Sequence, residues 1–369
     1  MITKMMTQEQ SEDFERYMEY VRVLDEDQVS RLAGLEYETV QEMYDELKKE
    51  MLIKHERDQK RIAELKRQIA EKDAEIARKE ALKESKYTHN DETRILVRNL
   101  ADENDPSKYK VEYIHTALSN EKKLVVMLYG EGSRSHDIQE NKVFKDSSIR
   151  VFTADMAKLY ETIVDDIEKQ YGIKVTRTAC WFHARHYFCD AFVSDQRVKP
   201  VIELMNNLFY IERYAKSKNY TFEQRLALRL RYSRKVVATI MKTIERMKSN
   251  KIANHGRLVM RAINYVLDDR KAFLVFLANG MVEIHNIAIE RCFRHIANGR
   301  CNWLHTGSHE AAENLAFMYS LYESCKMNGL DFGRYIEDIL TRMKDGDKDY
   351  LSMLPCYYKA LKIQVEECA

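Results

Sequence analysis

Thr93-Arg-Ile-Leu-Val97, Val111-Glu-Tyr-Ile-His-Thr116, Lys123-Leu-Val-Val-Met-Leu-Tyr129, Ile149-Arg-Val-Phe152 and the weaker Lys174-Val-Thr-Arg-Thr178 are five short β-branched runs. They stand in a chain otherwise written in helical periods. Asn104-Asp-Pro-Ser107 separates the first two runs, and Ser119-Asn-Glu-Lys122 turns the second into the third. Residues 135–145 read as a short helix before the fourth run. Met156 to Tyr171 reads as a longer one before the fifth, with Leu159, Ile163 and Ile167 at i, i+4, i+8 and Gly172 as its stop. The order is strand, strand, strand, helix, strand, helix, strand. Three sequential strands predict an antiparallel meander, and the strand–helix–strand step predicts a parallel crossover.

An RNase H-like fold needs this order, although other folds share it. Outward from the sheet, residues 181–280 read as helical throughout and residues 281–300 rejoin the core. Asn286–Ala297, Glu310–Met327 and Phe332–Met343 read as further helices, with Ser308 capping the second and Asn328-Gly329 closing it. Leu315, Met318, Tyr319 and Tyr322 give that helix an apolar stripe suited to core packing. The predicted class is therefore α+β and helix-rich: a mixed-sheet core over 87–180 and 281–300, a helical insertion over 181–280, and C-terminal helices over 301–369.

Ahead of the core, residues 1–40 form an acidic, aromatic helical region. Val29 to Val40 reads as a helical hairpin or, less readily in so acidic a setting, a helix-turn-helix joined at Gly34. Residues 41–86 read as one charged helix, with thirteen Lys/Arg against twelve Asp/Glu. Ile62, Leu65, Ile69 and Ile76 keep a heptad rhythm that Lys72 and Lys79 interrupt, which leaves a weak coiled coil and a solvated helix equally open.

Composition bounds the function. The 369 residues are 45% hydrophobic and 32% charged, enough to bury a core, with a net charge of +1, so any nucleic-acid surface must be a local patch. No run of 18 apolar residues and no amino-terminal apolar h-region occurs, so neither a membrane span nor a secretory leader is expected. Seven cysteines, an odd number with no C-x-x-C pair, argue against a disulfide framework and for a reducing cytoplasm.

Acids stand where chemistry can use them. Asp91 opens the first run, and Asp155 follows the fourth directly in Arg150-Val-Phe-Thr-Ala-Asp155. If those strands are neighbours, the two carboxylates meet at one sheet position. Glu290 lies on a later helix. Two divalent ions about 3.5–4 Å apart need several shared carboxylates, because hard cations take oxygen ligands and can then drive in-line displacement at phosphorus. Taken singly, each acid also reads as an ordinary solvated side chain.

The segment Val282-Glu-Ile-His-Asn-Ile-Ala-Ile-Glu-Arg-Cys-Phe-Arg-His-Ile-Ala-Asn-Gly-Arg-Cys-Asn-Trp-Leu-His-Thr-Gly-Ser308 resembles the signature of the IS66 family of insertion-sequence transposases. Asp91-Glu-Thr93, Thr153-Ala-Asp155 with Tyr160, Ala179-Cys-Trp-Phe-His-Ala-Arg185, Cys325-Lys-Met-Asn-Gly-Leu-Asp331 and Tyr335 to Leu340 are similar to further blocks of that family, in order, over about residues 88–343. The resemblance implies a DDE transposase that cuts at transposon ends and joins the 3′-OH to target DNA, with Asp91, Asp155 and Glu290 as catalytic acids and ligands of two Mg²⁺, for which Mn²⁺ can substitute. It also implies multimers on DNA and accessory proteins of the same element. A catalytically degenerate DNA-binding remnant, or a nuclease on the same fold, is the alternative.

Departures from the pattern mark where that expectation is tested. The family's Asp-Asn-Asn is His285-Asn-Ile287 here, and its Arg-Lys-Asn-Trp is Arg300-Cys-Asn-Trp303. The charged helix runs almost straight into Asp91, with no cysteine-rich, zinc-binding segment between. Cys180 and His183 can supply two of zinc's four ligands or a Cys–His dyad; the family block favours a supporting role beside the metals for Cys180, His183 and Arg185. Arg291, Arg294, Arg300, Asn302 and Trp303 read as phosphate and base contacts near Glu290. Residues 224–251 are strongly basic, with Arg231, Arg234 and Lys235 as DNA contacts and Leu226, Leu230, Val237 and Ile240 as the packed side.

Overall fold

The computed structural model describes residue 57 and residues 73–98, 109–130, 143–155, 158–250 and 255–359. The expectations for residues 1–40, most of the charged helix and most of the helix over 135–145 fall outside these. The described part of the charged helix, 73–83, is helical (α1).

Five strands follow: β1 (Tyr87–Arg98), β2 (Tyr109–Ser119), β3 (Leu124–Gly130), β4 (Val151–Thr153) and β5 (Thr176–Thr178), in one sheet ordered β3-β2-β1-β4-β5. The first three form the antiparallel meander; β4 joins β1 in parallel and β5 joins β4 in parallel through α2 (Lys158–Tyr171). The class is α+β with a mixed sheet, as the sequence order requires. All seven residues of β3 are buried. Val125, Met127 and Tyr129 pack with Ile95, Ile114 and Ile296 on one face, while Leu124, Val126 and Leu128 pack with Phe152, Tyr160 and Ile163 on the other. A run without alternation is what a strand covered on both faces needs.

Between β5 and the returning core lie α3 (Trp181–Phe192), α4 (Lys199–Ser217), α5 (Phe222–Leu228), α6 (Arg234–Ser249), α7 (Arg257–Leu267) and α8 (Arg270–Leu274). Their core gathers around Trp181, Phe273 and Phe276, and the Trp181 indole N–H donates to the Phe273 carbonyl at 3.1 Å. A π-type turn at Arg229–Ser233 joins α5 to α6. Its extra residue shifts the helical phase. Val237 and Ile240 are buried as expected, but Leu230 is exposed and Arg229 takes the interior place. Arg229 there donates to both Glu212 carboxylate oxygens (2.7 and 2.6 Å) and to the carbonyls of Phe276 and Asn279 (both 2.9 Å).

The chain returns through α9 (Ile287–Trp303), α10 (His309–Asn328), α11 (Phe332–Lys344) and the single turn α12 (Tyr350–Met353). Ser308 accepts from Ala311 N at 3.1 Å, and Gly329 closes α10 at φ 70°, the left-handed conformation that suits glycine. Of the expected stripe on α10, Leu315, Tyr319 and Tyr322 are half-buried and Met318 is exposed. The buried line is Ala312, Ala316, Ser320 and Ser324, because α10 covers the edge strand β3. Ser324 Oγ accepts from Val125 N at 2.9 Å and Ser320 Oγ from Met127 N at 2.8 Å. The i,i+4 rise of a helix, about 6 Å, matches the about 6.7 Å between alternate strand residues.

Candidate functional site: three acids at the open flank of the central strand

β1 begins at Tyr87, so Asp91 sits inside the strand and does not open it. Parallel pairing with β4 stops at His89↔Thr153. Two residues further along each chain come Asp91 and Asp155. Beyond the pairing, β1 keeps β2 on one side, and its other flank is next occupied at Leu96 and Arg98 by Thr306, through Thr306 N to Leu96 O (2.8 Å) and Arg98 N to Thr306 O (2.9 Å). The acids occupy the gap between those two pairings.

Glu290 enters from the first turn of α9. Its approach is held by the residues just before it. Asn286 donates from Nδ2 to Asn90 O (3.1 Å), its Oδ1 pairs with His89 Nδ1 (2.9 Å), and its backbone N–H donates to Cys180 Sγ (3.2 Å). Glu283 N donates to the Tyr87 hydroxyl (3.2 Å), and Asn120 Nδ2 reaches both His89 Nε2 and Glu283 Oε1 (3.2 Å each). The start of α9 is therefore stitched to β1 beside Asp91. Burial holds the His89 imidazole below its ordinary pKa.

Burial also holds the Asp91 carboxyl well above the usual carboxylate range, reinforced by the charges of Asp155, Glu92 and Glu290. The three acids predicted from the sequence thus share one electrostatic environment, Asp155 acting on Asp91 more strongly than Glu290 does. Tyr160 closes one side: its hydroxyl donates to Glu92 Oε2 at 2.8 Å, and burial first, then Glu92, Asp91 and Asp155, keep it protonated. Glu290 Oε1 is buried without a hydrogen-bond partner. It lies 3.7 Å from His183 Nε2.

The supporting residues divide. Cys180 and His183 stand at the start of α3 beside Glu290, and burial raises the Cys180 thiol to about 12. Arg185 is committed elsewhere, donating from Nε to Asn206 Oδ1 on α4 at 2.6 Å. Arg291 and Arg294 are exposed on α9 and Asn302 is exposed near its end, while Arg300 donates to the Arg94 carbonyl. Trp303 is half-buried against the sheet cluster, its indole folded over Gly299, where a Cβ would collide with it. Arg231, Arg234 and Lys235 are exposed in the insertion.

Sequence reasoning missed Asn286, His89 and Glu92. Asn286 could have been flagged: it is the one position of His285-Asn-Ile287 that keeps the family's residue. His89 carries no periodic signal, because buried polar strand residues look like loop residues.

The fold is thus a helix-flanked mixed sheet with Asp91 and Asp155 just past the end of the β1–β4 pairing. The IS66 transposase family profile matches residues 59–314, and the chain belongs to that family. Among similar proteins are two uncharacterized proteins of Sinorhizobium fredii (strain NBRC 101917 / NGR234). One, y4hP, is 28% identical over 188 residues, 47% of this chain and 33% of its own length. The other, y4qI, is 31% identical over 169 residues, 45% of this chain and 31% of its own length. These alignments span about a third of each curated relative. No helix among the described residues is long and apolar enough to cross a membrane.

Proposed function

We propose that this chain is a DDE-type transposase with an RNase H-like core, interrupted by the helical insertion over 181–280, and that it cleaves DNA at transposon ends and joins the 3′-OH to target DNA. The observation that carries the reading is the placement of Asp91 and Asp155 two residues past the last β1–β4 pair, with the Asp91 carboxyl held high by burial first and then by the charges of Asp155, Glu92 and Glu290. Like charges held together at one buried point are stabilised by a counter-cation, and carboxylate oxygens are the donors hard divalent ions prefer.

In this reading Asp91, Asp155 and Glu290 would hold two Mg²⁺, or Mn²⁺ in their place, through carboxylate oxygens. When bound, the ions supply an activated oxygen nucleophile and neutralise charge at phosphorus during in-line displacement. Asp91 and Asp155 approach from adjacent strands, so the sheet fixes their spacing. Asn286 sets where α9 begins and thereby where Glu290 points. Tyr160 holds Glu92 in place by donating to its Oε2. Arg291 and Arg294, exposed on the helix that carries Glu290, are placed to meet the phosphates of a bound strand, and Arg231, Arg234 and Lys235 to meet flanking DNA. Assembly as a multimer on DNA, with accessory proteins of the same element, belongs to the same reading.

The test is Mg²⁺-dependent nicking and strand transfer on DNA carrying the element's ends. Asp155→Ala, with its circular dichroism and thermal transition retained, is expected to lose turnover at least a thousandfold, on the order of removing a central catalytic group. DNA binding without cleavage by the parent chain, in either Mg²⁺ or Mn²⁺, overturns the reading in favour of a DNA-binding remnant.

A further inference from the structure

Glu290 faces two sets of partners. One is Asp91, which it influences through charge; the other is a group of different chemistry. The Cys180 sulfur, a ring nitrogen of His183 and a carboxylate oxygen of Glu290 all lie within 4.8 Å of one another. His183 Nε2 and Glu290 Oε1 are 3.7 Å apart, too far for a hydrogen bond. Around a tetrahedral zinc with metal–ligand distances of about 2.0–2.2 Å, nitrogen and oxygen donors stand about 3.4 Å apart, so a small rotation of either side chain completes the edge. Glu290 Oε1 and His183 Nδ1 are both buried atoms without hydrogen-bond partners. The side chains of His183 and Glu290 are each 31% exposed, which leaves an entry path to a sulfur that is itself fully buried.

We propose that Cys180, His183 and Glu290 form a binding site for a borderline divalent cation, Zn²⁺ or Co²⁺, with water in the fourth position. Thiolate and imidazole donors select such ions over Mg²⁺, which takes oxygen ligands and gives up its waters reluctantly. On binding, the Cys180 thiol releases its proton to solvent and the sulfur becomes a metal ligand. The N–H of Asn286, which already donates to Cys180 Sγ at 3.2 Å, stays in place to support the negative sulfur. An ion held here draws Glu290 away from Asp91 and Asp155, so micromolar Zn²⁺ inhibits Mg²⁺-dependent turnover. That consequence rests on the carboxylate reading above; the binding stands on the donor set alone.

The decisive experiment titrates Co²⁺ into the full chain without Mg²⁺ and follows thiolate-to-cobalt charge-transfer absorption in the near ultraviolet. One equivalent should develop the band, and Zn²⁺ should displace it. Cys180→Ser should abolish the band, His183→Ala should weaken Co²⁺ binding at least tenfold, and Asp91→Asn should leave it within twofold. No band in the parent chain overturns the proposal, as does a band that survives in Cys180→Ser. So does an Asp91→Asn loss as large as that of His183→Ala. If Cys180→Ser does not fold, His183→Ala decides: a tenfold loss supports the site and unchanged affinity overturns it. Turnover that persists in Asp91→Asn sinks the carboxylate reading while leaving the cobalt band untouched.

Discussion

Ser320 and Ser324 are the only hydroxyls that meet the backbone of β3 from α10 among the described residues, and their removal gives a quantitative test of how the sheet edge is protected. In Ser320→Ala the Met127 N–H loses its acceptor, and in Ser324→Ala the Val125 N–H loses its own. Both strand residues are fully buried, so water does not replace the hydroxyl. An orphaned buried donor costs about 1–3 kcal/mol. Alanine returns about 0.5 kcal/mol through its higher helix propensity. Each single variant should therefore lose about 0.5–2.5 kcal/mol. Because the sites are one helical turn apart, the double variant should fall short of strict additivity, losing about 1–4 kcal/mol. Urea unfolding followed by far-ultraviolet circular dichroism measures the loss, and amide exchange at Val125 and Met127 locates it. A double variant within about 0.5 kcal/mol of the parent, with exchange at both amides unchanged, would refute the account of the edge.

Further outcomes follow from the site and the insertion. Asp91 has a folded-state pKa above its unfolded value, so its contribution to stability is present below the unfolded carboxylate range and is lost as pH rises through the folded pKa. Asp91→Asn should accordingly raise the thermal midpoint of the metal-free chain at neutral pH and change it little near pH 3; a midpoint lowered at pH 7 contradicts the repulsion. Glu212→Gln leaves the fully buried Arg229 guanidinium without its countercharge and should cost about 3–5 kcal/mol in urea unfolding, whereas an exposed-pair cost below about 1 kcal/mol would mean the guanidinium finds water. Gly299→Ala puts a methyl where the Trp303 indole lies, so the ring must move outward. With only two tryptophans in the chain and Trp181 fully buried, a red-shifted fluorescence component reports that movement; an unchanged spectrum counts against it.

The strand order was legible because β2, β3 and β4 advertise themselves in apolar, β-branched runs, and the loop between β2 and β3 carries ordinary turn residues. The start of β1 was not. Tyr87-Thr-His-Asn90 looks like loop, yet all four are buried because Thr88, His89 and Asn90 spend their polar atoms on Asn90, Asn286 and Asn120. Helix phase was legible only while it stayed constant. The π-type turn at Arg229–Ser233 moved Leu230 to the surface and Arg229 inward, something a 3.6-residue count cannot foresee. On α10, apolarity pointed to Met318, but close approach to an edge strand demanded small residues and hydroxyls. The candidate acids Asp91, Asp155 and Glu290 were singled out by their positions and the family pattern, and the β1–β4 pairing that sets Asp91 near Asp155 lies in no local window. Arg185 donates across to Asn206 on α4, a partner that nothing in the Ala179–Arg185 block announces.

The helical excursion departs at Trp181 and comes home at Ile284, and these residues touch directly, Trp181 N–H to Ile284 O at 2.8 Å. The detour leaves and re-enters side by side, and within it the Ala272 carbonyl also accepts from Ala179 N and the Thr178 hydroxyl at the end of β5, so these few points tie it to the sheet. A cassette exchanged between those two residues should yield a chimera whose carboxylates keep their station.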